Sequence, residues 1–131
     1  MNISKKQAER VVHVANSYVN TPYSNNFRCV DFVRRVYTEV GIVIPLLKNQ
    51  PPPIELNIKI EELDNPPVGH LMFLRDRSDP RKYRIWTHVV IISENNTCIH
   101  CSIFYGNKVT VTKLPDIFQR YEFVSSSQIA S

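Results

Sequence analysis

Cys29 stands at a junction, with the polar, turn-prone "TPYSNNFR" before it and the apolar-striped "VDFVRRVYTEVG" after it. A cysteine in the first turn of a helix feels the partial positive charge of the unpaired N–H groups there. That field favours the thiolate, which is the nucleophile. Arg28 beside it pushes the same way. A nucleophilic thiol needs a base, and "WTHVVIISENNTCIHCS" supplies two histidines, His88 and His100. They fall on consecutive strand-like runs on either side of a polar turn. A hairpin centred on Glu94, with a loop of three or five residues, makes them direct cross-strand neighbours on one face. A two-residue Asn95-Asn96 turn puts them on opposite faces instead. In the first register Cys29, His88 and His100 constitute nucleophile, general base and orienting group, with His100 selecting the tautomer of His88. Backbone N–H groups near Cys29 and the phenol of Tyr23 are then placed to stabilise an oxyanion.

The same region contains "CIHC", Cys98 to Cys101, which formally matches C-x-x-C. In a strand those two side chains point to opposite faces, so they cannot jointly grip a metal. No helix begins there to activate a redox cysteine. The expectation is a site without metal or cofactor. His13 and His70 read as structural, one on a helix surface and one near the sheet. The charged loop "RDRSDPRKYR" reads as a solvated loop or an anion-attracting rim beside the base strand.

The elements that must position these groups follow from periodicity. Ser4 and Gln7 have the spacing of a capping box, and Ala8, Val11, Val12, Ala15 and Val19 recur at helical intervals, predicting a helix over 4–19. Pro22 ends that segment, since proline disfavours helical geometry in the residue before it. Cys29, Phe32, Val33, Val36, Tyr37 and Val40 form the stripe of a second helix, closed by Gly41 in a left-handed conformation. "IPLLKNQPPPIELN" carries too many prolines for a regular element and is expected to wrap the surface. From Val68 the period changes to two, with strands at about Leu71–Leu74, Ile85–Ser93, Thr97–Ile103, Lys108–Leu114 and Tyr121–Val124. Helices first and an antiparallel meander afterwards is an α+β plan. Residues 1–124 form one domain and 125–131 a flexible tail.

The ordered set Pro22-Tyr23, Cys29 opening an apolar helix, Gly69 before a strand, "HVVII" and "CIHCS" resembles the NlpC/P60 cysteine peptidases. In that family a P-Y segment precedes D-C-S-G-F/L-V. G-D-L-V-F-F follows, then H-V-G-I-Y at the base and an I-H-A-S strand with the third polar residue. The likeness spans Thr21 to Ser102 and rests on the order and spacing of short motifs. It implies a papain-like fold, with N-terminal helices on a five- to six-stranded antiparallel sheet. It also implies thiol hydrolysis of a peptide or amide bond, mostly in bacterial cell-wall (peptidoglycan) peptides. Cys29 becomes the nucleophile, His88 the base, His100 the orienter, and Tyr23 the neighbour of the thiol. The departures concern substrate. Where the family has Asp before the cysteine and Ser-Gly after it, this chain has Arg28, Val30 and Asp31. The family's Asp and Ser help bind a free amino end. Arg28 inverts the charge and Val30 removes the hydroxyl, so a different substrate is implied, one with an acidic group near the scissile bond. Gly69-His70-Leu71 likewise puts histidine where the family usually has aspartate.

Two other readings keep this fold. An acyl-enzyme intercepted by an amine or lipid would make an acyltransferase or transamidase, favoured by an apolar groove lined from "IVIPLL". A domain whose altered Arg28-Cys29-Val30 has lost turnover would be a binding module. Bulk properties bound the choice. The 131 residues suffice for one core, and 43% apolar with 21% charged residues argues against disorder. A net charge of +4 suits an anionic partner such as cell wall, but no helix-turn-helix or aromatic-basic platform points to nucleic acid. Three cysteines argue against a closed disulfide framework. "MNISKKQAERVV" has no signal-peptide pattern, and no run is long enough to span a membrane. The expectation is a cytoplasmic enzyme on recycled peptides, or a toxin delivered outside by a leaderless route and matched by an inhibitor or immunity protein.

Overall fold

A computed structural model describes residues 4–42, 44, 67–80 and 86–127. Helix α1, Lys5–Ser17, begins with the expected capping box. The Gln7 N–H donates to Ser4 Oγ (3.1 Å) and the Ser4 N–H to Gln7 Oε1 (2.9 Å). Helix α2, Cys29–Glu39, buries Val30, Phe32, Val33, Val36 and Tyr37, and Gly41 follows it at φ +87°. Each such apolar side chain contributes roughly 1.5–3 kcal/mol on leaving water.

Five strands follow: β1 Leu71–Asp76, β2 His88–Ser93, β3 Thr97–Ser102, β4 Lys108–Lys113 and β5 Tyr121–Ser127. They form one antiparallel sheet in the order β4-β3-β2-β1-β5, so the last strand returns to pair with the first. A short helix, α3 (Leu114–Arg120), makes that return. The sheet separates two cores. Leu71, Phe73, Val89, Ile91, Ile99, Cys101 and Val109 pack against α1 and α2. Met72, Leu74, Val90, Ile92 and Cys98 pack on the other face against Leu114, Ile117 and Tyr121. Alternation along each strand produces this division.

One contact ties the first layer to the sheet. Gly69, at φ +86°, lies so close to α1 that a Cβ there would sit 2.7 Å from the backbone of Ala8. Its N–H donates to the Ile92 carbonyl (2.8 Å), and its own carbonyl accepts from the buried Tyr37 hydroxyl.

Several expectations need correction. The segment 114–120, read as the end of one strand and a connection, is helix α3. Pro115, which sits in the first turn, donates no N–H and suits that place. The second strand starts at His88, with Trp86 and Thr87 outside it. The last strand runs to Ser127, paired with Leu71, so residues 125–127 belong to the sheet and not to a tail. The proline-rich stretch after Ile44, the last four residues of the charged loop (81–84) with Ile85, and residues 128–131 lie outside the described residues. No helix among the described residues is long and apolar enough to cross a membrane.

Candidate active site

Helix α2 starts without a side-chain acceptor from its N-cap residue, Arg28. Asp31 instead accepts from the Arg28 backbone N–H (2.9 Å) and from its Nε (3.3 Å). Cys29 is the first residue of the helix, half-buried, and packs on the α1–α2 side of the sheet. The field of the helix start therefore acts at its sulfur.

The hairpin of β2 and β3 turns through Glu94-Asn95-Asn96, with Ser93 paired to Thr97 and Ile91 to Ile99. The centre is Asn95, not Glu94. Both asparagines take positive φ (60° and 58°), which a short amide side chain tolerates. The loop is odd-numbered, as the favourable register requires, so His88 and His100 share a face. They are diagonal neighbours, not directly opposed ones. His88 Nε2 and His100 Nδ1 are 2.8 Å apart. His100 Nε2 is in turn 2.9 Å from Thr112 Oγ1 on β4.

This chain of three lies on the sheet face away from α2. His88 stacks on Tyr121 (4.9 Å between centroids, 16°), and His100 meets Tyr105 edge-on (5.0 Å, 64°). Cysteine and histidines therefore do not face each other across one interior. Cys29 and His88 come together at the end of the sheet, where β2 begins and β3 stops. A cleft of about 450 Å³ lies there, lined among others by Tyr23, Arg28, Cys29, Val30, His88 and Cys101. With Nε2 turned to His100, Nδ1 is the ring nitrogen of His88 that this contact does not engage. His100 and Asp31 are not part of the lining. The first stands behind His88 and the second braces Arg28.

Burial sets the protonation states. It holds His88 well below the ordinary histidine range, and the neighbouring His100 adds to this. Burial likewise brings His100 down to about 4. The dyad is neutral at neutral pH, as a proton acceptor must be. The Tyr23 phenol is pushed up, first by burial and then by the charge of a Cys29 thiolate, so it stays an O–H donor. Cys101 shares the cleft but is a different kind of thiol. It is fully buried, its Sγ donates to the Phe27 carbonyl (3.5 Å), and burial raises it to about 11.

Sequence reasoning missed Thr112 and the two ring contacts. Thr112 was detectable in principle, since it sits two residues beyond Thr110, the partner of His100 across β3 and β4. The other motifs fall elsewhere. Cys98 and Cys101 belong to opposite cores, and the described residues contain no cluster of His, Cys, Asp and Glu able to hold a metal. His13 is exposed, whereas His70 is buried beside α1 with its Nδ1 unpartnered. Of "IVIPLL" only Ile42 and Ile44 are described, and both are buried in the α1–α2 core and do not line the cleft.

No family model and no curated protein matches the sequence. Solved structures do match the fold. NlpC1 from Trichomonas vaginalis superposes with a TM-score of 0.76 at 16% identity, over 96% of this chain and 45% of that one. The peptidoglycan hydrolase RipB from Mycobacterium tuberculosis gives 0.71 at 18% identity, over 98% and 69%. The NlpC/p60 domain of the peptidoglycan hydrolase SagA gives 0.67 at 23%, over 93% and 98%. The chain spans just under half the length of several of these matches, including NlpC1. At such identities the likeness establishes architecture: N-terminal helices on a five-stranded antiparallel sheet, which is the NlpC/P60 fold.

Proposed function

We propose that the protein is a cysteine hydrolase that cleaves a peptide or amide bond through a Cys29 acyl-enzyme, with cell-wall-type peptides as the substrate class. The observation that carries this is the shared cleft. A cysteine at a helix start and an imidazole held neutral by burial and by a second imidazole line the same cleft. His88 Nδ1 takes the Cys29 proton as the sulfur attacks the carbonyl carbon. The oxyanion that forms is met by the N–H groups of the first turn of α2 and by the Tyr23 hydroxyl. His88 then hands the proton to the leaving amine, and water, activated by the same nitrogen, releases the acid. Peptidoglycan hydrolases among the similar folds support the substrate class.

Thiol labelling tests the reading. Near neutral pH, iodoacetamide should modify Cys29 far faster than Cys98 or Cys101, and His88→Ala should abolish the difference. Equal, slow labelling of all three cysteines would return the chain to the class of binding modules. Arg28 at the cleft favours substrates with an acidic group beside the scissile bond. Arg28→Asp should reverse the preference between anionic and cationic peptides, and an unchanged preference removes that part of the proposal.

A further inference from the structure

The turn that follows β3 contributes Ile103 and Phe104 to the wall of the same cleft, and both are about half exposed (49% and 53%). The one other exposed large hydrophobic among the described residues, Val111, lies outside the cleft. Contiguous apolar surface at the mouth of a cleft is what a contact surface presents. Phe104 is also held in place. The Arg120 guanidinium carbon lies 3.4 Å from its ring centroid. Arg120 is in turn clamped by Asp76, through Nε at 3.1 Å and Nη2 at 2.9 Å. The backbone N–H of Phe104 donates to Ser102 Oγ (3.1 Å), and Ser102 is itself a buried residue of the cleft wall. Burial works against a charge on Asp76, but hydrogen bonds from Ser78 and then the Arg120 guanidinium hold its carboxyl below the usual range, so the clamp stays charged.

A planar cation thus covers one face of the ring while more than half of the residue's surface stays open. A ring fixed before binding costs a ligand little ordering entropy. Arg28 and Arg34, which also line the cleft, are cationic and suit an anionic group instead. We propose that Phe104 and Ile103 form a subsite for an apolar side chain of the substrate that flanks the bond Cys29 attacks. The proposal rests on the cysteine-hydrolase reading and adds to it the character of one neighbouring substrate residue.

Two alkylating agents of equal chemistry and unequal bulk test it: iodoacetamide and N-benzyliodoacetamide. For each, the rate at Cys29 is read by mass spectrometry, and the benzyl-to-parent ratio is compared with that of glutathione. The subsite predicts a ratio roughly fivefold above glutathione's, the size of one aromatic contact. Phe104→Ser with Ile103→Ser should bring the ratio down to that of glutathione, while Phe104→Tyr, which keeps the ring, should preserve it. These side chains are exposed, so folding of the variants is checked simply by circular dichroism. A fast Cys29 with no benzyl preference, or a preference that survives the double serine variant, overturns the subsite alone. A Cys29 no faster than Cys98 with iodoacetamide overturns the hydrolase reading and the subsite with it.

Discussion

Thr112 gives the sharpest test of the dyad, because its role follows from counting protons. For His88 to accept a proton at Nδ1, its one ring hydrogen must sit on Nε2 and point at His100 Nδ1 (2.8 Å). His100 Nδ1 must then be the acceptor, so the hydrogen of that ring sits on Nε2 and donates to Thr112 Oγ1 (2.9 Å). Replacing Thr112 by valine keeps the shape and removes the acceptor. The productive arrangement then leaves a buried N–H unpaired, at a cost of about 1–3 kcal/mol. The alternative, with the hydrogen of His100 on Nδ1, forces the His88 hydrogen onto Nδ1, where it blocks the base. A bias of about 1.4 kcal/mol toward that tautomer lowers the working population about tenfold. Thr112→Val should therefore slow Cys29 alkylation near neutral pH by roughly tenfold, with Thr112→Ser close to wild type. Imidazole nitrogen NMR should show His88 moving from the Nε2–H to the Nδ1–H form. A folded Thr112→Val protein with the Nε2–H tautomer and an undiminished alkylation rate would refute the relay.

Two further outcomes follow from burial and crowding. His100 has a folded pKa of about 4 against about 6.5 in an unfolded chain, so the unfolded state binds more protons between those values. Stability is complete above about pH 6.5 and declines as pH falls toward 4, by about 3 kcal/mol for His100 alone. Urea midpoints across this range should fall steeply for wild type and less so for His100→Gln; parallel curves would show that His100 is not buried neutral. Gly69→Ala places a Cβ 2.7 Å from Ala8 at φ +86°, whereas Gly106→Ala, at φ +81°, meets nothing nearer than 3.4 Å. Both pay for positive φ, but only the first must push α1 away, so it should be less stable by a further ~1–3 kcal/mol. Equal urea midpoints for the two variants would mean that α1 yields freely at that contact.

What could be read from the sequence was what local periodicity encodes. The capping box of α1, the buried stripe of α2 and the left-handed Gly41 all appear where spacing put them. The shared face of His88 and His100 was legible too, since parity depends only on whether the loop is odd. Their offset was not, because the turn is centred on Asn95, with it and Asn96 at positive φ, and residue types do not reveal which of several odd loops forms. Helix α3 escaped notice because seven residues bury only Leu114 and Ile117, a spacing too short to stand out between strands. The pairing of β5 with β1 is a contact between distant segments, and alternation marks a strand without naming its neighbour. The same limit hid the most consequential feature of the site. Periodicity puts Cys29 on an inward helix face and the histidines on a sheet face. It does not say that the sheet face is the far one and that the groups meet only at the strand ends.

That placement bears on how the proposed dyad would operate with no carboxylate beside it among the described residues. On the α3 side of the sheet His100 is fully buried, and an aspartate in its place would have to bury a charge there at considerable cost. A second neutral imidazole avoids that cost and can still orient the first, but it offers little to the positive charge that His88 acquires in the proposed mechanism. Asp76, also on the cleft wall, is committed to Arg120. The group in position to help is Tyr121, whose ring lies face to face with His88 at 4.9 Å and whose burial keeps its hydroxyl protonated, with a pKa of about 12. An imidazolium over an aromatic face gains electrostatic stabilisation that a neutral imidazole does not. The stack therefore favours the charged intermediate over the resting base, and it does so from α3 and β5, the two elements whose place in the fold was hardest to read in the sequence.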